Sequence, residues 1–135
     1  MSAERRIAIR SDDDVVTARR QAREMAGALG FEATDLTLLA TAISEVARNI
    51  TTYAGSGEVS IDVMHDGGRT GIRVVAVDEG PGIENLDMAL RDGYSSGRGL
   101  GLGLPGARRL MDEFEIETEV GEGTTIRMIK WGPPR

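Results

Sequence analysis

The sequence contains no cysteine, which excludes disulfides, thiolate catalysis and Cys-ligated zinc. Its single histidine, His65, cannot build a His-based metal centre or a Ser-His-Asp triad. Lysine is almost absent: among 16 basic residues the only lysine is Lys130. P-loop NTPases and eukaryotic-type protein kinases both place a lysine on nucleotide phosphates, so nucleotide chemistry here must neutralise charge by other means. No apolar stretch approaches the ~18 residues of a membrane span. The start of the chain, MSAERRIAIRSDDD, has no apolar run of signal-peptide type. The expectation is a cytoplasmic protein with no membrane partner.

What is present fits one globular domain over residues 1–135, with 40% hydrophobic and 28% charged residues. Acidic residues outnumber basic ones, 22 to 16, for a net charge of −6, which argues against nucleic acid as a partner. Glycine is plentiful, at 18 of 135 residues, against an average share of about 7%.

Residues Arg5 to Arg10 read as a short edge strand with Ile7 and Ile9 on one face. Ser11 and Asp14 have capping-box spacing; Val15, Ala18, Ala22, Met25 and Leu29 then keep helical period until Gly30. A second helix is predicted from about Thr34 to Tyr53, with a stripe of Leu36, Leu39, Ile43, Ala47 and Ile50. Val59, Ile61 and Val63 alternate with polar residues as in a half-buried strand, and Asp66-Gly67-Gly68 is a turn. Ile72 to Val77 is apolar on nearly both faces and reads as central. A short helix is predicted with Pro105 as its first residue. A closing hairpin, Phe114–Val120 and Thr124–Trp131, turns at Gly121-Glu122-Gly123. The order implies an α+β fold: a two-layer sandwich whose mixed or mainly antiparallel sheet carries helices on one face.

Three segments carry chemistry. Glu45 and Asn49 lie one helical turn apart on a face shared with Leu38 and Ala42. An amide oxygen suits Mg²⁺ and a carboxylate beside it can accept a proton; the same spacing also fits an ordinary solvated helix face. Asp78-Glu79-Gly80-Pro81-Gly82-Ile83 follows the central strand. There a carboxylate can accept from an exocyclic amino group beside backbone that a flat ligand can approach, although Asp, Gly and Pro also make plain turns. Gly97-Arg98-Gly99-Leu100-Gly101-Leu102-Gly103-Leu104-Pro105-Gly106 exposes backbone N–H groups ahead of a helix, a phosphate cradle or else a loose loop. Gly101, Gly103 and Gly106 also match the dinucleotide fingerprint, but the DGYSS before them is no buried strand and no βαβ unit surrounds them.

In order and spacing these segments resemble the Bergerat-fold (GHKL) ATPases shared by gyrase, Hsp90, MutL and histidine kinases. Within that family the chain is most similar to the small anti-sigma-factor serine kinases, of the stressosome switch-kinase type. TAISEVARNI, YAGSG, DEGPGI, GLGLPGARRLMDEF, GEGT and IKW carry the resemblance, from about Asp12 to Trp131. Departures are the GPPR tail and Arg98 within the lid. The resemblance implies ATP and Mg²⁺ as cofactors, with Asn49 as the metal ligand and Glu45 as the general base. It implies that Asp78 bonds the adenine amino group, with Gly80, Gly82 and Ile83 beside the base and Thr124 in contact with it. Gly99, Gly101 and Gly103 would wrap the phosphates, with Gly97, Arg98, Leu100 and Leu102 in the same nucleotide-binding segment and Arg98 either on the phosphates or solvated. The implied substrates are serines of a STAS-domain antagonist and of a STAS-domain stressosome scaffold. The implied output partner is an enzyme such as a PP2C-type phosphatase.

A rival reading from another class shares every nucleotide box: a nucleotide-gated anti-sigma factor that sequesters a sigma factor. A detached histidine-kinase catalytic domain is disfavoured, because no helix with a phosphoacceptor histidine precedes these boxes and His65 sits at a strand end. Arg19, Arg20 and Arg23 form a basic strip on the first helix, of the kind usually found on a solvated face.

Overall fold

The structure, a computed structural model, describes residues 4–83 and 103–133. Strand β1 (Arg5–Ile9) leads into helices α1 (Asp12–Ala28) and α2 (Ala33–Asn49), and α2 runs on into a π-helical turn, Ile50–Ala54. Strands β2 (Gly57–Asp66) and β3 (Arg69–Asp78) follow; then come helix α3 (Gly103–Leu110) and strands β4 (Glu113–Glu119) and β5 (Gly123–Trp131). One five-stranded sheet has the order β1-β2-β3-β5-β4, and every neighbouring pair is antiparallel. The fold is α+β as expected, with the mixed-sheet option resolved to a wholly antiparallel one.

Alternation in the strands sorts the two sheet faces. Ile7, Ile9, Val59, Ile61, Ile72, Val74, Ala76, Ile126 and Met128 point inward and are buried in one core with α1, α2 and α3. The other face carries Glu58, Val77 and Arg127, all exposed. Strand β3 is central, as its two-sided apolar pattern implied. Helix α2 touches both α1 and α3, and its small residues Ala40, Ala42, Ser44 and Ala47 are buried. Small side chains allow that close approach on several sides; the Ser44 hydroxyl, buried with them, donates to Ala40 O at 2.9 Å.

Lys130, the lone lysine, lies on the inward face and is 9% exposed. Its ammonium donates to Leu110 O at 3.0 Å and lies 3.7 Å from Asp112. It therefore sits at the C-terminus of α3, where carbonyls lack helical partners and the helix dipole favours a cation.

Local expectations are corrected at three helix ends. The Ser11 side chain makes no capping hydrogen bond. Its backbone carbonyl takes the N–H groups of Asp14 and Val15 at 3.1 and 3.4 Å, while the Asp14 carboxylate accepts from Arg10 N at 2.9 Å. Only the reach-back half of the box forms, one residue further out. The predicted single helix to Tyr53 is α-helical only to Asn49 and widens into the π-helical turn; Gly55, at φ 84°, ends it by donating to Ile50 O at 2.9 Å. Pro105 is the third residue of α3 rather than the first, still inside the turn that needs no N–H from it. On α1, Arg20 and Arg23 are exposed and Arg19 half-buried. Among the described residues, no helix is long and apolar enough to cross a membrane.

Candidate active site

Asp78 is the last residue of the central strand and is 9% exposed. Register places it in a row across four strands: Gly57 on β2, Asp78 on β3, Thr124 on β5 and Thr118 on β4. Row members share the inward face, because cross-strand partners in antiparallel pairs point the same way. Gly57 is obligatory: a Cβ there would lie 2.4 Å from Val77 O and 2.9 Å from Ile50 Cγ2. Its bare backbone leaves the space between the π-helical turn and Asp78.

The loop after Asp78 is folded back on the hairpin. Gly80 N donates to the Asp78 Oδ1 at 2.9 Å, fixing one carboxylate oxygen. Gly82 has φ +76°, and a Cβ on it would lie 2.4 Å from Glu119 O; handedness and close approach both demand glycine there. Gly121 N donates to Pro81 O at 2.8 Å, and Ile83 N donates to Thr118 Oγ1 at 2.9 Å. Thr118 Oγ1 also lies 2.9 Å from Thr124 Oγ1 and 3.2 Å from Gly123 O. Beside this turn, exposed Glu119 is held above the usual carboxylate range by a side-chain hydrogen bond with Glu122 and, less, by burial.

Glu45 and Asn49 lie on the last turns of α2. The Glu45 side chain is 10% exposed. Its Oε1 accepts from Gly103 N, at the start of α3, at 3.1 Å, and its Oε2 lies 3.5 Å from Arg48 Nη1. Asn49 is half-buried, and among the described residues its amide has no hydrogen-bond partner. Ile50, next in the chain, packs at the Gly57–Asp78 end of the sheet. The carboxylate–amide pair and the Asp78–Thr124 row thus stand at the same end of the molecule, joined by the π-helical turn.

Of the residues singled out from sequence, the structure gathers Glu45, Asn49, Asp78, Gly80, Gly82, Ile83, Gly103 and Thr124 at this end. Gly97, Arg98, Gly99, Leu100, Gly101 and Leu102 lie outside the described residues. Sequence reasoning missed Thr118 and Gly57. Thr118 had a signal: in the alternating run Phe114-Glu115-Ile116-Glu117-Thr118 it is the polar residue in an inward phase.

A buried carboxylate at the end of a central antiparallel strand, a glycine-bearing loop behind it and a Glu–Asn pair on the facing helix define a class. The chain belongs to the histidine kinase-like ATPase domain family, whose description matches residues 10–130. Within it, the chain is 46% identical over 125 residues to the serine/threonine-protein kinase RsbT of Bacillus subtilis (strain 168), covering 93% of this chain and 94% of that protein. It is also 31% identical over 97 residues to an anti-sigma F factor of Thermoanaerobacter sp. (strain X514), covering 67% of this chain and 66% of that protein. The crystal structure of the RsbU and RsbW domains of Rv1364c from Mycobacterium tuberculosis shares the fold, with a TM-score of 0.67 and 20% identity over 100% of this chain and 34% of that one.

Proposed function

We propose that this chain, one domain over residues 1–135, is an ATP-dependent protein-serine kinase of a partner-switching stress response. The observation that carries the reading is the meeting of Glu45 and Asn49 with the Asp78–Thr124 row at one end of the fold. The kinship with a serine/threonine-protein kinase over nearly the whole chain supports a hydroxyl as acceptor.

The residues fit a metal–nucleotide complex. Asn49 offers a half-buried amide without a described partner, and its oxygen is a hard donor of the kind Mg²⁺ takes alongside phosphate oxygens. Bound Mg²⁺ would neutralise phosphate charge, a task that elsewhere falls partly to a lysine. Asp78 keeps one oxygen on Gly80 N and has the other to accept from the adenine amino group. Gly82 and Ile83 would back the base, with Thr124 on its edge. Backbone N–H groups from Gly97 to Gly103, with Leu100, Leu102 and the Arg98 guanidinium, would bind the phosphates.

Glu45 is the general base. It would take the proton of the attacking serine as the serine Oγ bonds the γ-phosphorus and the bond to the bridging oxygen of the leaving ADP breaks. In the structure one Glu45 oxygen already accepts from Gly103 N, so the base is tied to the first residue of α3.

The substrates are serines of a STAS-domain antagonist and of a STAS-domain stressosome scaffold. Once released, the kinase engages an output enzyme such as a PP2C-type phosphatase in the cytoplasm. Incubation with Mg-ATP and a cognate STAS protein should yield phosphoserine, read by mass spectrometry; a folded, ATP-binding protein that yields none contradicts the proposal. The kinship with an anti-sigma F factor supports a second reading, nucleotide-gated sequestration of a sigma factor. Retention of a sigma factor and not of a STAS protein in a pull-down would favour it.

A further inference from the structure

Thr118 belongs to none of the sequence motifs, yet its hydroxyl joins two of them. It takes the N–H of Ile83 from the loop after Asp78 at 2.9 Å. It lies 3.2 Å from Gly123 O and 2.9 Å from the Thr124 hydroxyl, both on β5. A hydroxyl has one proton and two lone pairs. The Ile83 N–H occupies one lone pair, so the single Thr118 proton must choose between Gly123 O and Thr124 Oγ1.

The two choices give Thr124 opposite characters. With the Thr118 proton on Gly123 O, Thr124 donates to Thr118 and shows only lone pairs to the site. With the Thr118 proton on Thr124 Oγ1, the Thr124 proton is released toward the site and Thr124 becomes a donor. Asp78, next in the same row, can as a carboxylate only accept. The adenine edge sets an amino donor beside the N1 acceptor, so a base whose amino group meets Asp78 needs a donor beside it.

We infer that Thr118 is a positioning residue for base recognition: by turning its proton onto Thr124 it makes Thr124 a donor to purine N1, directly or through one water. This rests on the nucleotide reading of the Asp78 site. The device is a rotation of two hydroxyls, and Ile83 N–H anchors its pivot.

The test compares ATP with 1-deaza-ATP, in which N1 is replaced by C–H, by titration calorimetry. Wild-type protein should prefer ATP by roughly three- to tenfold, the worth of one neutral hydrogen bond. Thr118→Ser, which keeps the hydroxyl, should hold that preference. Thr118→Val should shrink that preference, because the Thr124 hydroxyl keeps its proton but loses the donor that aims and polarises it. Thr118→Ala gives the same readout if Val is not tolerated. A purely structural role would lower both affinities and leave their ratio intact. The inference is overturned if wild type binds the two nucleotides equally, or if Val or Ala keeps the full preference. No ATP binding by folded wild type overturns the nucleotide reading, and this inference with it.

Discussion

Asp78 makes the sharpest case at the residue scale. It is a buried carboxylate with one oxygen committed to Gly80 N. Asp78→Asn can turn a donor toward the adenine donor. Loss of a charge-assisted bond costs about 1.5–3 kcal/mol, so ATP affinity should fall roughly 10- to 150-fold by calorimetry. Unchanged affinity in a folded variant would remove Asp78 from the adenine site. Gly82 is constrained by geometry alone. Gly82→Ala places a Cβ 2.4 Å from Glu119 O at φ +76°; it should destabilise the fold by about 1–3 kcal/mol in urea titration. A neutral result would mean that the loop moves freely off the hairpin.

At the scale of elements, α3 is secured at both ends by side chains from elsewhere. Gly103 N is held by Glu45, and Leu110 O by Lys130. Lys130→Met keeps the apolar stem but leaves the Leu110 carbonyl without its charged partner, in a region where Lys130 is 9% exposed. The variant should lose about 1–3 kcal/mol of stability, and amide exchange should quicken in α3 more than in β2. Uniform exchange across both would show that Lys130 does not act on α3. How much of these elements was legible varies with the physics behind each. Period gave α1, the α2 stripe and the strand faces, because inward positions such as Val15, Ile43 and Ile61 are fixed by burial. Period could not find the π-helical turn, since Ile50 is inward in either helix type. Nor could it show that the Ser11 carbonyl, rather than its hydroxyl, would take the first N–H groups. Glu45, Asn49 and Asp78 were legible because chemistry-bearing side chains stood at motif spacing. Thr118 was not, because its meaning depends on a strand register that brings it beside Thr124.

At the scale of the whole molecule, the proposed function requires release after transfer. A serine held near Glu45 gains a charge of about −1.5 to −2 on phosphorylation, in a chain whose net charge is already −6. Under that proposal, repulsion at the site would turn a stable complex into a transient one. A STAS protein with Asp at its acceptor serine should bind at least tenfold more weakly than one with Ala, roughly 1.4 kcal/mol. Equal affinity of the two forms would contradict release by charge.

The central claim is that the Glu45 end of α2 carries out phosphoryl transfer and does not merely hold nucleotide. Single-turnover transfer from Mg-ATP to a STAS-protein serine, by wild type and Glu45→Ala at matched ATP occupancy, tests it most directly. The account predicts that Glu45→Ala keeps most of its ATP affinity and loses transfer by about 10²–10⁴. A Glu45→Ala protein that transfers phosphate at the wild-type rate would contradict it.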